Sequence, residues 1–153
     1  HYKMGLAQKM GLPSFHKDSF DCAMAFLRIL QSEQLDYTQS FIRLQNKEYE
    51  AIKDDCLDRH QFELFLTQYE SIRDHQDTDA LDAEMTKANP QYILRNHMAQ
   101  KAIELAERND FSEVERLFTL LSQPFTQQPE LETEADLGPL PSDVPEVMVS
   151  CSS

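Results

Sequence analysis

Asp58-Arg59-His60-Gln61-Phe62-Glu63-Leu64-Phe65-Leu66-Thr67-Gln68-Tyr69-Glu70-Ser71-Ile72-Arg73 decides the fold class. Phe62, Phe65, Leu66, Tyr69 and Ile72 fall at i, i+3, i+4, i+7 and i+10, which puts them on one stripe of an α-helix and on no single face of a strand. The chain repeats this 3.6-residue pattern on both sides. With only three glycines, and with Leu, Gln, Glu and Ala abundant, the whole chain favours helix over sheet.

Upstream, residues 1–11 read as a short helix with Met4, Leu6, Ala7 and Met10 apolar, stopped by Gly11 and Pro13. Residues from Asp18 to Glu33 carry two stripes, one of Phe20, Ala23, Met24, Leu27 and Leu30, the other of Cys22, Phe26 and Ile29. A helix apolar on two sides is expected at the centre of a bundle. Asp36 is an N-cap for a third helix bearing Tyr37, Phe41 and Leu44. Residues 46–58 are polar and poorly periodic, a short helix and a loop.

Downstream, residues 74–80 read as a polar loop and Leu81 to Lys87 as a short helix. Asn89 and Pro90 suit an N-cap and first helical position, so a helix is expected from there to Asn109. It would carry Leu94, Met98, Ala102 and Leu105 on one stripe, with Tyr92, Ala99, Ile103 and Ala106 beside them. Asp110, with Glu113 three residues on, reads as a capping box for a last helix with Val114, Leu117, Phe118 and Leu121 buried.

Composition changes at Pro124. Five of the seven prolines fall there or later, and six acidic but no basic residues follow Arg116. Such a segment buries too little apolar area to offset its ordering entropy, so 126–145 reads as an extended or disordered linker, followed by an apolar anchor at Val147, Met148 and Val149. The expected fold is all-α: an irregular helical bundle over residues 1–123, then an extended, largely disordered acidic tail over 124–153 ending in a candidate redox cysteine.

The charge of −13 repels phosphate backbones and anionic lipid, which argues against nucleic-acid and membrane partners. No apolar run approaches the ~20 residues of a membrane span. Three widely spaced cysteines, Cys22, Cys56 and Cys151, do not make a secreted disulfide framework, and no pair has zinc-site spacing.

No constellation reads as catalytic. The glycines, Gly5, Gly11 and Gly138, form no phosphate-cradling loop, and no kinase-type Asp-with-Asn arrangement occurs. No cofactor or metal site is expected: Asp54-Asp55 and Asp77/Asp79 read as solvated loops. His60, His75 and His97 are isolated, and His97 reads as a mid-helix core or interface residue. Arg95 and Asn96 admit two readings, a surface ion pair to Glu84 or a neighbouring acid, and a contact to another domain through the fixed guanidinium fork. Cys22 reads as a core residue and Cys56 as an exposed bystander. Cys151, between Ser150 and Ser152 near the terminus, is expected to be accessible, one condition for redox use of a thiol.

Leu35-Asp36-Tyr37-Thr38, Asn89-Pro90 through Glu107, Asp110 to Val114, Pro124-Phe125 and the terminal Ser150-Cys151-Ser152-Ser153 together resemble the C-terminal end of the selenoprotein O family, the kinase-like protein adenylyltransferases. The resemblance implies a parent enzyme that transfers AMP from ATP to Ser, Thr or Tyr hydroxyls of proteins with a divalent metal such as Mg2+. It implies that the nucleotide and metal ligands lie in an N-terminal kinase-like domain absent here. Selenocysteine-containing members carry selenocysteine where Cys151 stands. The resemblance further implies that Cys151 pairs with a cysteine of the kinase-like part and regulates activity. The expectation is therefore a helical tail piece of a bacterial, cytoplasmic enzyme, inactive alone and carrying an apolar face open to self-association or to the absent domain. The alternative is a stand-alone helical protein-interaction module.

Overall fold

The computed structural model describes residues 2–139, with side chains from Gly5 onward. The regular secondary structure among the described residues is all helical, with no strand. Eight α-helices follow in order: α1 (Tyr2–Met10), α2 (Ser19–Ser32), α3 (Tyr37–Gln45), α4 (Tyr49–Asp54), α5 (Arg59–Arg73), α6 (Thr78–Ala88), α7 (Asn96–Glu107) and α8 (Ser112–Ser122). A 3-10 turn at Glu134–Asp136 comes last. The chain divides at Asn89/Pro90 into two compact units.

In the first unit the expected core stripe is present. Phe62, Phe65, Tyr69 and Ile72 of α5 are buried, with Leu66 partly so. The α5 aromatics meet α2 and α3 in a run of ring contacts: Phe26 stacks on Phe65 at 5.0 Å and stands edge-on to Phe41 at 5.3 Å. These distances suit aromatic pairs, which add about 0.5–1.5 kcal/mol each beyond their buried area. Both stripes of α2 contribute, with Cys22, Ala23, Phe26, Ile29 and Leu30 buried, as expected of a central helix. Asp36 Oδ2 accepts from Gln39 N at 2.8 Å, so the N-cap of α3 sits where the sequence puts it, and Asp58 Oδ1 caps α5 in the same way through Gln61 N at 3.0 Å.

Several boundaries differ from the sequence reading, each for an identifiable reason. Helix α6 starts at Thr78, before Leu81, because Asp77 caps it through Ala80 N at 3.2 Å. The helix expected from Pro90 starts at Asn96. Asn89 is not its N-cap: its side-chain amide donates to Lys9 O at 2.9 Å and Gln45 Oε1 at 3.2 Å, and it ends α6. Gln91 N and Tyr92 N both donate to Pro124 O, at 2.6 and 3.3 Å, which holds this stretch out of a helical path. Asn89 is 1% exposed, so Asn89→Ala is expected to lower the stability of the first unit by about 1–3 kcal/mol, read as a lower urea midpoint.

The second unit is a hairpin of α7 and α8 closed by the segment that follows. Tyr92, Met98, Ala102, Leu117 and Leu120 are its core. The face assigned to α8 is corrected: Leu117 and Leu120 are buried, but Val114 is 42% and Phe118 78% exposed. The helix is turned by its polar residues. Glu113 faces inward to Arg116 and is not a capping-box partner, while Asp110 Oδ1 takes Ser112 N at 3.0 Å. Residues 126–139 are folded where composition predicts an extended linker. Leu131 and Leu137 pack on the hairpin core, and Thr133 and Asp136 form a reciprocal capping box around the 3-10 turn. Residues 140–145 of that predicted linker, Val147 to Val149 and Cys151 lie outside the described residues.

Candidate functional site

Of the sequence-predicted site residues, Cys151 lies outside the described residues. Arg95 is 5% exposed, not a surface side chain, and its extended backbone (ψ 156°) leads into α7, whose first residue is the half-buried Asn96. His97 lies in the first turn of α7, not mid-helix, and its Nε2 lies 2.6 Å from Ala135 O. That carbonyl can only accept, so Nε2 carries the proton.

Cys22 is buried, and burial, with Asp18 adding to it, pushes its thiol up to about 12. Cys56 is corrected from bystander to core: it is 6% exposed and its Sγ donates to Ile52 O at 3.3 Å. Burial raises its pKa, with help from Glu33, Asp55 and Asp58. Neither is a ready thiolate at neutral pH. Three of the four acids considered as metal ligands have other work: Asp54 pairs with Arg59 at 2.9 Å, Asp55 with Arg43 at 2.6 Å, and Asp77 caps α6. Among the described residues no group of three or more metal-ligating side chains converges.

Two features that sequence reasoning missed are built with care. The first is a guanidinium clamp in the second unit. Arg116 reaches Glu113 through Nε (3.0 Å) and Nη2 (2.7 Å), and Asp136 through Nη1 (2.6 Å) and Nη2 (3.0 Å). Nη1 also donates to Leu131 O at 3.0 Å. The hydrogen bonds from Arg116 hold Glu113 below the usual carboxylate range. Burial works to raise Asp136, which is 1% exposed, but Arg116 and Thr133 N outweigh it and its pKa is also lowered. Nearby, Tyr92 donates to Glu132 at 2.5 Å and accepts from Gln128 N at 2.8 Å. Burial, then the Glu132 bond, pushes the Tyr92 phenol up to about 12.

The second is an open groove of about 640 Å³ in the first unit, between α1, residues 11–15 and the start of α6. Its walls are fixed from behind. Gly11 follows α1 at φ +64°, and Leu12 N returns to Ala7 O at 2.9 Å, which ends the helix with a left-handed residue. Tyr69 donates to Met10 O at 2.6 Å, and Arg73 to Gly11 O at 2.9 Å and Asp82 Oδ1 at 2.5 Å. Ser19 Oγ holds Pro13 O at 2.7 Å. Phe15, 81% exposed, stands on the groove, and Gln8 donates to Glu84 at 3.0 Å across it. Local sequence could not reveal this feature, because Gln8 and Glu84 lie 76 positions apart. Its one local signal is Gly5, a glycine inside a helix.

The chain is similar to known proteins in two ways. The family model for protein adenylyltransferase SelO matches residues 1–122. The protein nucleotidyltransferase YdiU of Pectobacterium atrosepticum is 36% identical over 160 aligned positions, covering 100% of this chain and 32% of that protein. The proteins of the same name from Herminiimonas arsenicoxydans (40% identical, 95% of this chain, 30% of that protein) and Cupriavidus metallidurans (38%, 100% and 28%) align the same way. The chain thus spans about a third of the length of these relatives.

Proposed function

Because the chain belongs to the SelO family of protein adenylyltransferases, we propose that it serves as the helical C-terminal domain of such an enzyme, supporting a kinase-like domain and carrying a regulatory thiol at Cys151. The observation that carries the reading is the match over residues 1–122 by a chain that covers only 28–32% of its relatives. In the whole enzyme, the oxygen of a protein Ser, Thr or Tyr hydroxyl would bond to the α-phosphorus of ATP as the bond to the β-phosphate oxygen breaks. Pyrophosphate leaves, and the hydroxyl proton passes to a base of the kinase-like domain. ATP and Mg2+ belong to that domain, and a bacterial cytoplasm supplies both. Arg95 and Asn96, at the head of α7, are proposed to contact it.

Cys151 is the cysteine best suited to regulation, since Cys22 and Cys56 are buried with raised pKa values. Its sulfur would bond to that of a cysteine of the kinase-like domain, the two thiols together giving up two electrons and two protons to a peroxide- or disulfide-class oxidant. The test is mass mapping of the oxidised complete polypeptide, with AMP transfer measured with and without reductant. Cys151→Ala is expected to remove one disulfide and to abolish the reductant response. An unchanged disulfide map and response would overturn the regulatory role. The 153-residue chain alone should give no calorimetric signal with ATP and magnesium, and micromolar binding would overturn its reading as a non-catalytic domain.

No helix among the described residues is long and apolar enough to cross a membrane.

A further inference from the structure

Gly5 is hard to explain within the first unit. It sits inside α1, where glycine weakens a helix relative to alanine. Its φ is not left-handed, since Gly11 is the one described glycine with positive φ. A Cβ built on Gly5 meets nothing within 4 Å, so no neighbour excludes a side chain. What it does border is the groove, and a side chain there would take up groove space. A bare backbone at a groove wall permits close approach by an occupant.

The chemistry of the groove narrows that occupant. Leu12, Pro13, Phe15 and Leu81 give it apolar walls, and Asp77 and Glu84 give it acids with no Lys or Arg among its lining residues. Asp77 caps α6 through Ala80 N, whereas Glu84 takes bonds from Gln8 and Lys87 yet keeps a side chain 50% exposed, open to a further cation. The other polar side chains of its lining, Gln8, Ser14 and Gln76, are neutral and offer no charge or metal-ligating set to fix a small ligand. An aromatic side chain 81% exposed at the edge is instead typical of a protein-interface anchor. A second copy is disfavoured, because each chain carries −13 and would bring acids against an acidic rim. About two thirds of each relative's length lies outside the match, so the complete polypeptide offers ample other surface.

We propose that this groove seats an apolar, Lys- or Arg-bearing segment from the remainder of the complete polypeptide, packed on Phe15 and against the bare backbone of Gly5. The proposal rests on the reading that the chain is one domain of a longer adenylyltransferase. The segment's side chains fill the groove, and its cation lies beside Glu84.

Hydroxyl-radical footprinting read by mass spectrometry tests this directly. Phe15 should be oxidised about tenfold more slowly in the complete polypeptide than in the 153-residue chain, because interface cores exclude water. Gly5→Leu in the complete polypeptide should restore oxidation to the rate of the free chain. In the 153-residue chain the same variant should keep its helicity and its thermal midpoint. Should Gly5→Leu fail to fold, Glu84→Lys decides, since reversing the rim charge must also release the segment. Equal Phe15 oxidation in the complete polypeptide and the free chain overturns the proposal. So does protection in the free chain that grows with its concentration, which would make the occupant a second copy. AMP transfer measured on the same preparation separates the two readings: transfer with unprotected Phe15 defeats the groove alone, and protected Phe15 without transfer defeats the enzymatic reading alone.

Discussion

Arg116→Met is expected to destabilise the second unit by about 3–5 kcal/mol, the usual cost of removing one partner from a buried ion cluster. The side chains of Arg116, Glu113 and Asp136 are 16%, 11% and 1% exposed, so solvent does little to screen what is lost. Methionine keeps much of the stem's packing but leaves two carboxylates facing each other with no cation between them. Leu131 O loses its donor as well. Loss should appear as faster hydrogen exchange across residues 92–137 while the first unit, whose core shares none of these residues, keeps its own protection. The pH dependence gives a second reading of the same cluster. In the native chain both carboxylates have lowered pKa values, so their contribution is full above the ordinary carboxylate range near pH 4 and fades as pH falls through the lower folded values. In Arg116→Met the buried, unpaired acids gain stability when protonated. The gap between native and variant must therefore narrow on acidification. Adding Asp136→Asn, which keeps an acceptor for Thr133 N, should recover part of the loss at neutral pH. A variant within about 1 kcal/mol of native at pH 7, or a gap that widens in acid, would show that the clamp is ornamental rather than structural.

That clamp also shows where reading a sequence runs out. Helices α2 and α5 and the N-cap Asp36 are legible because their causes are local: a 3.6-residue period and a carboxylate three residues from the amide it accepts. The stretch from Asn89 to Arg95 was misread because its amides find partners far along the chain, at Lys9, Gln45 and Pro124. An Asn-Pro pair has the right chemistry for a helix start, but long-range hydrogen bonds took the asparagine first. Helix α8 was misread by its register. Counting apolar residues favours Val114 and Phe118 as buried, yet the need to satisfy Glu113, Arg116 and Asp136 turns the helix the other way. The acidic, proline-rich segment after Pro124 reads as too poor in apolar area to fold, because its partners lie on other elements. One arginine is enough to seat Asp136, and two leucines do the rest. Family membership is legible from short motifs, and the family match over residues 1–122 spans those at 35–38, 89–107 and 110–114. The groove is not legible, since its walls come from opposite ends of the first unit.

The second large effect is expected at Gly11. Its φ of +64° is a region where a β-branched residue pays about 1–2 kcal/mol. A Cβ there would also overlap Arg73 Nη1 and Met85 Sδ, both held in a crowded interior. Arg73 is 5% exposed and Met85 1%, so neither side chain can swing into solvent to make room. Overpacking of this kind costs about 1–3 kcal/mol, and together the two penalties put Gly11→Val at about 2–5 kcal/mol. Displacing Nη1 further removes the Arg73 bond to Gly11 O and strains its pair with Asp82. Gly5 makes the internal control, because its φ is ordinary and its surroundings are open. Gly5→Ala should leave the chain as stable as before or raise it by about 0.5–1 kcal/mol, since alanine is the better helix former. Urea titration of the two variants, followed by helical circular dichroism, checks both signs at once. Two glycines six residues apart would then be distinguished by cause: Gly11 is required by the fold itself, and Gly5 only by whatever approaches the groove. Equal losses at both positions would mean that α1 tolerates no side chain at Gly5 even with the groove empty, and the case for an occupant pressing on that backbone would lose its support.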